Sequence, residues 1–402
     1  MAVNSNSSWT ETTLGEILEI FDYKRIPLSG TQRKERQGKY PYYGASGVID
    51  YIDDYIFDGK YLLIAEDGEN LNSRKLPVAF FASGKFWVNN HAHIVRAMPG
   101  IVDDYFIFAW FVQANISGYI TGAAQPKLTQ ENMKRIALRL PPLSMQRKIA
   151  AILSAYDDLI ENNLRRIKIL EEMAQNIYSE WFVKFHFPDH QHARFTDSPL
   201  GRIPVGWEEV SLLSVTDVTY GFAFQSNQFN SDGNGMPVVR IRDVLAGTSD
   251  TFSSEEAGKK YLVENGDILV GMDGEFHMGF WVGGQAYLVQ RVARFRSKGE
   301  IGRYHLFLAL QEPIQHFNAT ITGTTVAHLG DKHIKTIAIK WPQEQLKNQF
   351  NSFLEPMLAQ ILNLRIKNIT LRSTRDLLLS RLISGEVDVS KLDIAVPEEA
   401  SA

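Results

Sequence analysis

Apolar residues recur at alternating spacings of four and three along residues 144–182. The series consists of Ile149, Leu153, Tyr156, Ile160, Asn163, Ile167, Leu170, Ala174, Ile177 and Trp181, of which Asn163 is the strongly polar member. This spacing places all members on one face of an α-helix and is typical of a coiled-coil seam. It predicts a long helix whose apolar stripe packs on another helix.

A second stripe stands 201 positions further along the chain, at Phe350, Leu354, Met357, Ile361, Leu364, Asn368, Leu371, Arg375, Leu378 and Leu382. A helix that packs on its own domain would give the same pattern. Two stripes of equal length instead favour two helices that pack on each other as an antiparallel coiled coil. Pro356 predicts that the second helix kinks or begins afresh at that residue.

The polar members of the two stripes predict their register. Pairing Asn163 with Asn368 in an antiparallel seam places Arg375 opposite Tyr156, where a guanidinium can lie against an aromatic ring. All other members then face apolar partners. A shift by one heptad would leave a buried amide against an aliphatic side chain, at a cost of about 1–3 kcal/mol.

The segment ITGAAQPKL at residues 120–128 returns as ITGTTVAHL at residues 321–329. AEDGE at 65–69 resembles GMDGE at 271–275, and SWTETTLGEI has a looser counterpart in GWEEVSLLSV. Such an echo predicts two copies of one structural unit. Short apolar runs bounded by Gly, Asp and Asn predict short strands with a few helices in each copy.

The predicted fold is therefore α+β with a pseudo-twofold internal repeat, in which two globular domains are joined by two long antiparallel helices. The expected segments are a first domain at 1–143, a long helix at 144–187, a linker at 188–206, a second domain at 207–342, a second long helix at 343–387 and a disordered tail at 388–402. Prolines and glycines mark the linker, and the polar end of the chain marks the tail.

Composition narrows the function. The 402 residues suffice for two or three domains, and no apolar run approaches the length of a membrane span. The absence of cysteine excludes disulfides and thiolate metal sites and is typical of a cytoplasmic protein. With a net charge of −4 and no strongly basic segment, DNA binding would require local basic patches or the charge of a partner.

The sequence carries no motif of an adenine methyltransferase or of an ATP-driven motor. The Pro-Pro pair follows Leu140 and lacks the preceding Asn or Asp, DGNGMP is a lone Gly-x-Gly, and a phosphate-binding loop with Gly-Lys-Ser/Thr is missing. A metal-dependent nuclease remains an alternative because HFPDHQH brings together His186, Asp189, His190 and His192. We expect a solvated linker there, since the cluster lies at a proline-containing helix exit.

The order of several pieces resembles the DNA specificity subunits of Type I restriction-modification systems. The pieces are TGAAQPKL, LPPLSMQRKIAAIL, IENNLRRIKILEEMAQNIYSEWFV, SPLGRIPVGW and LLLSRLISGEVDV, and together they span nearly the whole chain. The resemblance implies two target recognition domains, each of which reads one half of a split sequence in double-stranded DNA. It also implies that the helices hold the domains apart and dock two methyltransferase subunits.

The resemblance further implies a non-catalytic chain that holds no cofactor. Restriction subunits would join the complex, and S-adenosylmethionine, ATP and Mg²⁺ would belong to the partner subunits. Two alternatives remain open: a stand-alone DNA-binding regulator with a coiled-coil spacer, and the specificity subunit of a related methyltransferase–nuclease system.

Direct readout of bases favours Arg on guanine and Asn or Gln on adenine, with Lys on phosphate. Candidates in the first domain are Arg33, Lys34, Arg36, Lys39, Tyr43, Ser46, Asn70, Asn72, Arg74, Gln125 and Lys127. Candidates in the second domain are Gln225, Asn227, Arg240, Arg242, Thr324, Thr325 and His328. Arg240 and Arg242 alternate in VVRIRDV and are expected to share one face of a strand. Ordinary solvated surface is the alternative explanation for the basic loop at 33–39. For the echoed loops the alternative is that they only lead into the scaffold and vary freely in sequence.

Overall fold

The structure is a computed structural model that describes residues 9–122, 124–199, 201–299, 301–321 and 327–396. The chain divides into two compact units. The first comprises Met1–Leu159 with Leu371–Ala402, and the second comprises Ile160–Thr370. Each unit therefore contains a globular domain together with a part of both long helices.

Short strands build the sheets of the first unit. They are β1 (Thr10–Thr13), β2 (Leu18–Ile20), β3 (Gln37–Gly44), β4 (Gly47–Ile52), β5 (Phe57–Asp58), β6 (Tyr61–Ala65), β7 (Ala79–Ala82), β8 (Lys85–Val88), β9 (Ala92–Ala97) and β10 (Ala137–Leu140). The strand orders are β1-β10, β2-β9-β6-β7 and β4-β3-β8-β5. Neighbours are antiparallel except for β3 and β8, which run parallel.

Short helices connect these strands. They are α1 (Leu14–Ile17), α2 (Gly30–Glu35), α3 (Asn70–Ser73), α4 (Asp104–Gln113) and α5 (Gln130–Arg135), with 3-10 turns at Asp22–Lys24 and Ser117–Tyr119. Capping side chains define where two of them start, because Asp103 accepts from the Phe106 amide and Thr129 accepts from the Asn132 amide. The first long helix, α6 (Leu143–Tyr178), continues into a π-helical turn at Ser179–Val183.

The strands of the second unit are β11 (Phe195–Ser198), β12 (Gly201–Pro204), β13 (Glu208–Ser211), β14 (Thr216–Tyr220), β15 (Phe229–Asn230), β16 (Met236–Val239), β17 (Phe252–Ser253), β18 (Leu262–Val263), β19 (Ile268–Gly271), β20 (Met278–Phe280), β21 (Ala286–Leu288), β22 (Val292–Ser297) and β23 (Ala338–Trp341). Its helices are α7 (Leu212–Val215), α8 (Arg303–Thr320) and α9 (Asp331–Ile334). Short 3-10 turns lie at His190–His192, Ser226–Gln228, Ile241–Asp243 and Lys259–Tyr261. The second long helix is α10 (Glu344–Ile383).

The two units repeat the same connections. The pair β1-β10 has its counterpart in β13-β23, and the sheet β2-β9-β6-β7 has its counterpart in β14-β22-β19-β20. The strands β6 and β19 are buried along their whole length, as expected of strands that are covered on both faces. The α+β fold with an internal repeat is thus confirmed.

The seam residues of the long helices face the core within each unit. In the first unit Ile149, Leu153 and Leu382 are buried, and in the second unit Ile167 and Leu364 are buried. Helix α10 runs unbroken through Pro356, so the expected new start at this residue is wrong. Leu354 and Leu358 on either side of the proline are fully buried, and this packing compensates for the lost backbone hydrogen bond.

The second polar exception of the seam has a different partner from the expected one. The Arg375 guanidinium forms an ion pair with Asp157, with 2.5 Å between Nη1 and Oδ1, rather than lying over the neighbouring Tyr156 ring. Asp157 also accepts a hydrogen bond from the Tyr105 hydroxyl. A carboxylate one residue further along the helix is the better partner for a guanidinium, because the bond is charge-assisted.

Two segments are more ordered than the sequence predicts. The expected linker contains the hairpin β11-β12, in which Ile203 is buried. In the expected disordered tail, Val389 is fully buried and the Lys148 ammonium donates to the Ser390 and Leu392 carbonyls at 2.9 and 2.7 Å. Residues 397–402 lie outside the described residues. Among the helices of the described ranges, none is both long and apolar enough to cross a membrane.

Candidate nucleic-acid interface

The first echoed segment forms a closed turn. The Thr121 amide donates to the Lys127 carbonyl at 2.8 Å, and the Lys127 amide donates back at 2.7 Å. Gly122 has φ of 87°, and a Cβ at this position would lie 2.3 Å from the Gln125 carbonyl oxygen. Only glycine fits such a position. The turn leaves the Gln125 side chain exposed.

The closed turn is bound to the AEDGE segment by backbone hydrogen bonds. The Gly68 amide donates to the Pro126 carbonyl at 3.0 Å, and the Leu128 amide donates to the Glu66 carbonyl at 2.7 Å. The Glu66 amide in turn donates to the His91 carbonyl at 2.9 Å. These three bonds, which we call the loop frame, fix the turn to two neighbouring parts of the domain.

The second unit contains the same loop frame. The Gly274 amide donates to the Ala327 carbonyl at 2.9 Å, the Leu329 amide donates to the Met272 carbonyl at 2.8 Å, and the Met272 amide donates to the Arg291 carbonyl at 2.8 Å. The side chains at equivalent positions of the frame differ: the second copy has Arg291 where the first has His91, and Met272 where the first has Glu66. Gly323, Thr324 and Thr325 lie outside the described residues.

Two of the predicted contact residues are tied to acids of the frame. The Lys127 ammonium lies 3.3 Å from Glu66 Oε1, and His328 Nδ1 lies 2.6 Å from Asp273 Oδ1. Each side chain is about half exposed. A side chain that already binds a carboxylate is less available to phosphate or to a base edge, because this contact must first be broken.

The basic segment at 33–39 is not a loop, because it comprises the last turn of α2 and the start of β3, and it divides into paired and unpaired residues. Arg33 pairs with Asp50 at 3.0 Å, and Arg36 pairs with Asp53 at 2.9 Å while its guanidinium lies 5.0 Å from the Trp87 ring. Lys34 is exposed and has no ion-pair partner among the described residues.

Other polar candidates of both domains point into solvent. Lys39 is exposed, with its ammonium 5.3 Å from the Tyr40 ring. Asn72 in α3, and Gln225 and Asn227 around a 3-10 turn of the second domain, are also exposed. Their side chains have the donor and acceptor groups that base edges require.

The Asn70 side chain forms hydrogen bonds within its own domain. Its amide nitrogen donates to the Pro77 carbonyl at 3.1 Å and to the Ser46 hydroxyl at 3.4 Å, while its oxygen accepts from the Leu76 amide at 2.6 Å. These contacts hold the segment after α3 in place. They occupy the donor and acceptor pair that would otherwise recognise adenine.

Arg74, predicted to contact DNA, instead binds backbone carbonyls. Its guanidinium donates to the carbonyls of Phe111 at 2.9 Å and Ala114 at 2.6 Å, at the C-terminal end of α4. Burial lowers the pKa of Arg74. Carbonyls at a helix C-terminus lack intrahelical partners and carry partial negative charge, which a guanidinium satisfies.

Tyr43 is half-buried against aromatic rings. Its ring centroid lies 5.8 Å from that of Phe80 and 5.6 Å from that of Phe86. Burial raises the pKa of the Tyr43 hydroxyl. The ring therefore contributes to the aromatic core of the first domain.

Arg240 and Arg242 come together, but not as alternating residues of one strand. Strand β16 ends before Arg240, because the Asp243 carboxylate accepts from the Arg240 amide at 2.9 Å and turns the chain into a 3-10 helix. Both guanidiniums donate to the Thr251 hydroxyl, at 2.6 and 3.0 Å. The Arg242 side chain is 60% exposed and pairs with Asp250 at 3.1 Å.

One buried ionic group of the first domain escaped the sequence analysis. Among the described residues, Asp22, Glu66 and His93 form the group of acids and histidine that is close enough to hold a metal ion. The Arg25 guanidinium pairs with Asp22 at 3.4 Å and with Glu66 at 2.6 Å, so positive charge is already present there. Burial alone would raise the pKa of Asp22, but the hydrogen bond and charge of His93 lower it. Asp22 and His93 stand 71 positions apart in sequence, which conceals the group.

The histidine-rich segment makes local contacts. His186 Nδ1 lies 2.9 Å from Glu180, and His190 Nδ1 lies 2.9 Å from the Phe187 carbonyl, where it can only donate. The rings of His186 and His190 are 5.0 Å apart. His186 and His190 therefore stabilise the exit from the first long helix.

The duplicated loop frame agrees with a comparison to known families. The family of Type I restriction modification DNA specificity domains matches residues 6–172 and again residues 204–371. The chain belongs to this family. Each match covers the sheets of one globular domain, one of the echoed segments and much of the long helix that follows.

Curated relatives and a solved structure agree with this family. The Type I restriction enzyme MjaIX specificity subunit of Methanocaldococcus jannaschii is 24% identical over 96% of this chain and 98% of the relative. The EcoBI specificity subunit of Escherichia coli is 29% identical over 48% of this chain and 45% of the relative. The crystal structure of a Type-I restriction-modification system S subunit from M. genitalium has a TM-score of 0.63 at 15% identity, over 95% of this chain and 98% of that chain. The last comparison shows a shared fold.

Proposed function

We propose that this specificity-family chain is a non-catalytic DNA-binding subunit that reads a bipartite, asymmetric sequence in double-stranded DNA. The domain at 1–143 reads one half of the sequence, and the domain at 207–342 reads the other. The duplicated loop frame carries this proposal. Two identical backbone frames with unlike side chains present one surface in two chemical versions, as two different half-sites require.

Exposed polar side chains support direct contact with DNA in both domains. Lys34 and Lys39 are free to approach phosphates, and Asn72, Gln125, Gln225 and Asn227 are exposed with the donors or acceptors that base edges require. The net charge of −4 limits the electrostatic attraction that the chain supplies by itself. A basic partner subunit would add to that attraction.

We infer the partners of this chain from the resemblance to its family. The long helices at 144–187 and 343–387 dock two adenine-specific DNA methyltransferase subunits, and restriction subunits with translocase and endonuclease activity join this complex. S-adenosylmethionine, ATP and Mg²⁺ are bound and used by those partners, and the complex works in the cytoplasm. The segment at 188–206 connects the first long helix to the second domain.

Mapping of methylated adenines tests the proposal. DNA from cells that express the chain with its methyltransferase should carry methylation at one split, asymmetric sequence. Exchange of residues 1–143 for the corresponding domain of another family member should change one half of that sequence and leave the other half intact. A change in both halves would refute independent reading by the two domains.

Purification of the tagged chain separates the proposal from its alternatives. Co-purification with a methyltransferase supports the proposed subunit. Specific DNA binding without any methyltransferase would identify a stand-alone regulator instead. A methyltransferase fused to a nuclease in the purified complex would indicate the related methyltransferase–nuclease system.

A further inference from the structure

We propose that Asp67 and Asp273 are equivalent positioning residues, each of which holds the end of the echoed loop of its domain, at Lys127 or at His328, in the position that discriminates its DNA half-site. The inference rests on the proposed function, because it assumes that the echoed loops face DNA. It goes further in naming the side chains that fix them. Both aspartates occupy the third position of the repeated segments AEDGE and GMDGE.

In both domains the aspartate is joined to the echoed loop through the backbone. Asp67 forms an antiparallel bridge with Lys127, and Asp273 forms the same bridge with His328. The next residue is a glycine with positive φ in each copy, 108° at Gly68 and 72° at Gly274. This turn aims the amide of the glycine at the loop, and the carboxylate stands beside it.

In the first domain Asp67 binds a neighbouring residue of the frame. His91 Nδ1 lies 2.9 and 2.7 Å from the two carboxylate oxygens, and the Asp67 side chain is 15% exposed. His91 is also the residue whose carbonyl accepts from the Glu66 amide. Asp67 therefore connects Lys127 of the loop, through the backbone bridge, with His91, through its carboxylate.

In the second domain Asp273 binds the loop directly. His328 Nδ1 lies 2.6 Å from Oδ1, and Arg291 Nε lies 3.4 Å from Oδ2. Arg291 stands where the first domain has His91, since both carbonyls accept the third bond of the frame. The carboxylate again connects both ends of the frame.

The side chains around the aspartates differ in a correlated way. Where the preceding residue is acidic, as at Glu66, it takes the loop cation Lys127, and the aspartate is left to His91. Where the preceding residue is Met272, the loop side chain of His328 binds the aspartate itself. In each domain an acid of the repeated segment thus binds the loop side chain, and the aspartate is the acid that both domains retain.

If these aspartates did not position the loops, their charge would be their main effect on DNA binding. A carboxylate near the DNA backbone repels phosphate, so removal of the charge alone should strengthen binding. Glu69 and Glu275 occupy the fifth position of the same segments, are exposed and stand two residues from the aspartates. They are matched controls, because their removal changes the charge equally without touching the loop.

Binding is measured with the complex of the chain and its methyltransferase, on an intact duplex and on duplexes with one or the other half-site randomised. Discrimination of a half-site is the dissociation constant for the duplex in which that half-site is randomised, divided by the dissociation constant for the intact duplex. Asp67→Ala should lower discrimination of the first half-site about tenfold, the order of one lost charge-assisted hydrogen bond. It should leave the second half-site unchanged. Asp273→Ala should show the reverse.

Asp67→Asn should retain most of the discrimination, because the amide oxygen still accepts from His91. Asp273→Asn should retain part of it, because its single amide oxygen can replace only one of the two carboxylate contacts, to His328 or to Arg291. Glu69→Ala and Glu275→Ala should lose none. Aspartate variants that behave like the glutamate controls, or that lose both half-sites together, would overturn the inference. A wild-type complex without discrimination at either half-site would instead overturn the proposed function.

Discussion

The side-chain amide of Asn163 donates a hydrogen bond of 2.8 Å to Oδ1 of Asn368, and both residues are buried in the second unit. The Asn368 amide nitrogen reaches the Ile160 carbonyl at 3.4 Å. The structure thus brings together the two polar residues from which the register was predicted. A buried amide inside an apolar seam is tolerated when it is paired, and it disfavours other registers.

Single replacement of either asparagine should destabilise the protein more than replacement of both. Asn163→Leu leaves the Asn368 oxygen without its donor, at a cost of about 1–3 kcal/mol in the free energy of unfolding. The double variant with Asn368→Leu removes both polar groups, and we expect its stability to return to that of the wild type or to exceed it. Denaturant unfolding measures the difference. Asn162→Leu, at an exposed neighbouring position, is the control, and additive single effects would contradict the pairing.

Oxidative crosslinking tests the register in the first unit. The absence of native cysteine gives a clean background for Leu153→Cys combined with Leu378→Cys, which the predicted register places opposite each other. A disulfide requires Cβ atoms about 3.5–4.5 Å apart, so this pair should crosslink readily. Leu153→Cys with Leu371→Cys is the control pair, one heptad away. Efficient crosslinking of the control alone would show that the register is different.

Periodic features of the sequence predicted the fold well, whereas features that depend on distant partners escaped prediction. The seam repeats every few residues, and the echoed loop repeats at a constant offset, so both are visible in one dimension. The role of Arg74 depends on carbonyls 37 and 40 positions away, and the burial of Val389 depends on packing beside the first long helix. The turn at Arg240 was missed because one carboxylate, Asp243, ends the strand.

Replacement of Lys34 should affect DNA binding without affecting stability. Lys34→Ala removes an exposed charge, so it should weaken binding to all sequences equally and reduce the slope of log K against log salt by about 0.9 if one phosphate contact is lost. Its thermal midpoint should not change. Titration of binding at several salt concentrations measures the slope. Altered base preference at an unchanged slope would contradict a phosphate contact.

Arg74→Ala should have the converse effect. It leaves the carbonyls of Phe111 and Ala114 without a donor, and we expect a loss of about 1–3 kcal/mol in stability. The salt slope of DNA binding should stay the same. Arg74→Lys should restore little, because a single ammonium lacks the planar fork that spans two carbonyls. A stable Arg74→Ala variant with a reduced salt slope would assign Arg74 to DNA after all.

His305 should make the stability of the second unit depend on pH. Its side chain is 1% exposed, its ring lies 4.6 Å from the Phe182 ring and 4.9 Å from the Phe350 ring, and Nδ1 has no partner among the described residues. Burial, with a smaller contribution from the charge of Lys347, lowers the pKa of His305 from 6.5 to about 3. The folded protein therefore keeps this imidazole neutral.

His305→Leu should flatten the fall in stability on acidification. Between pH 6.5 and about 3 the unfolded chain binds a proton at His305 that the folded chain does not bind, so the free energy of unfolding decreases as the pH falls. The contribution of this residue is complete above pH 6.5 and is lost at up to about 1.4 kcal/mol per pH unit below it.

The carboxylates of the protein also titrate as the pH falls. The measured quantity is therefore the difference in the free energy of unfolding between wild type and His305→Leu, determined by urea unfolding from pH 7 to 4.5. That difference should change in favour of the variant as the pH falls. His316→Leu, an exposed histidine on the same helix, is the control. A constant difference across this range would show that His305 is protonated in the folded state and that its burial among the aromatic rings does not control its charge.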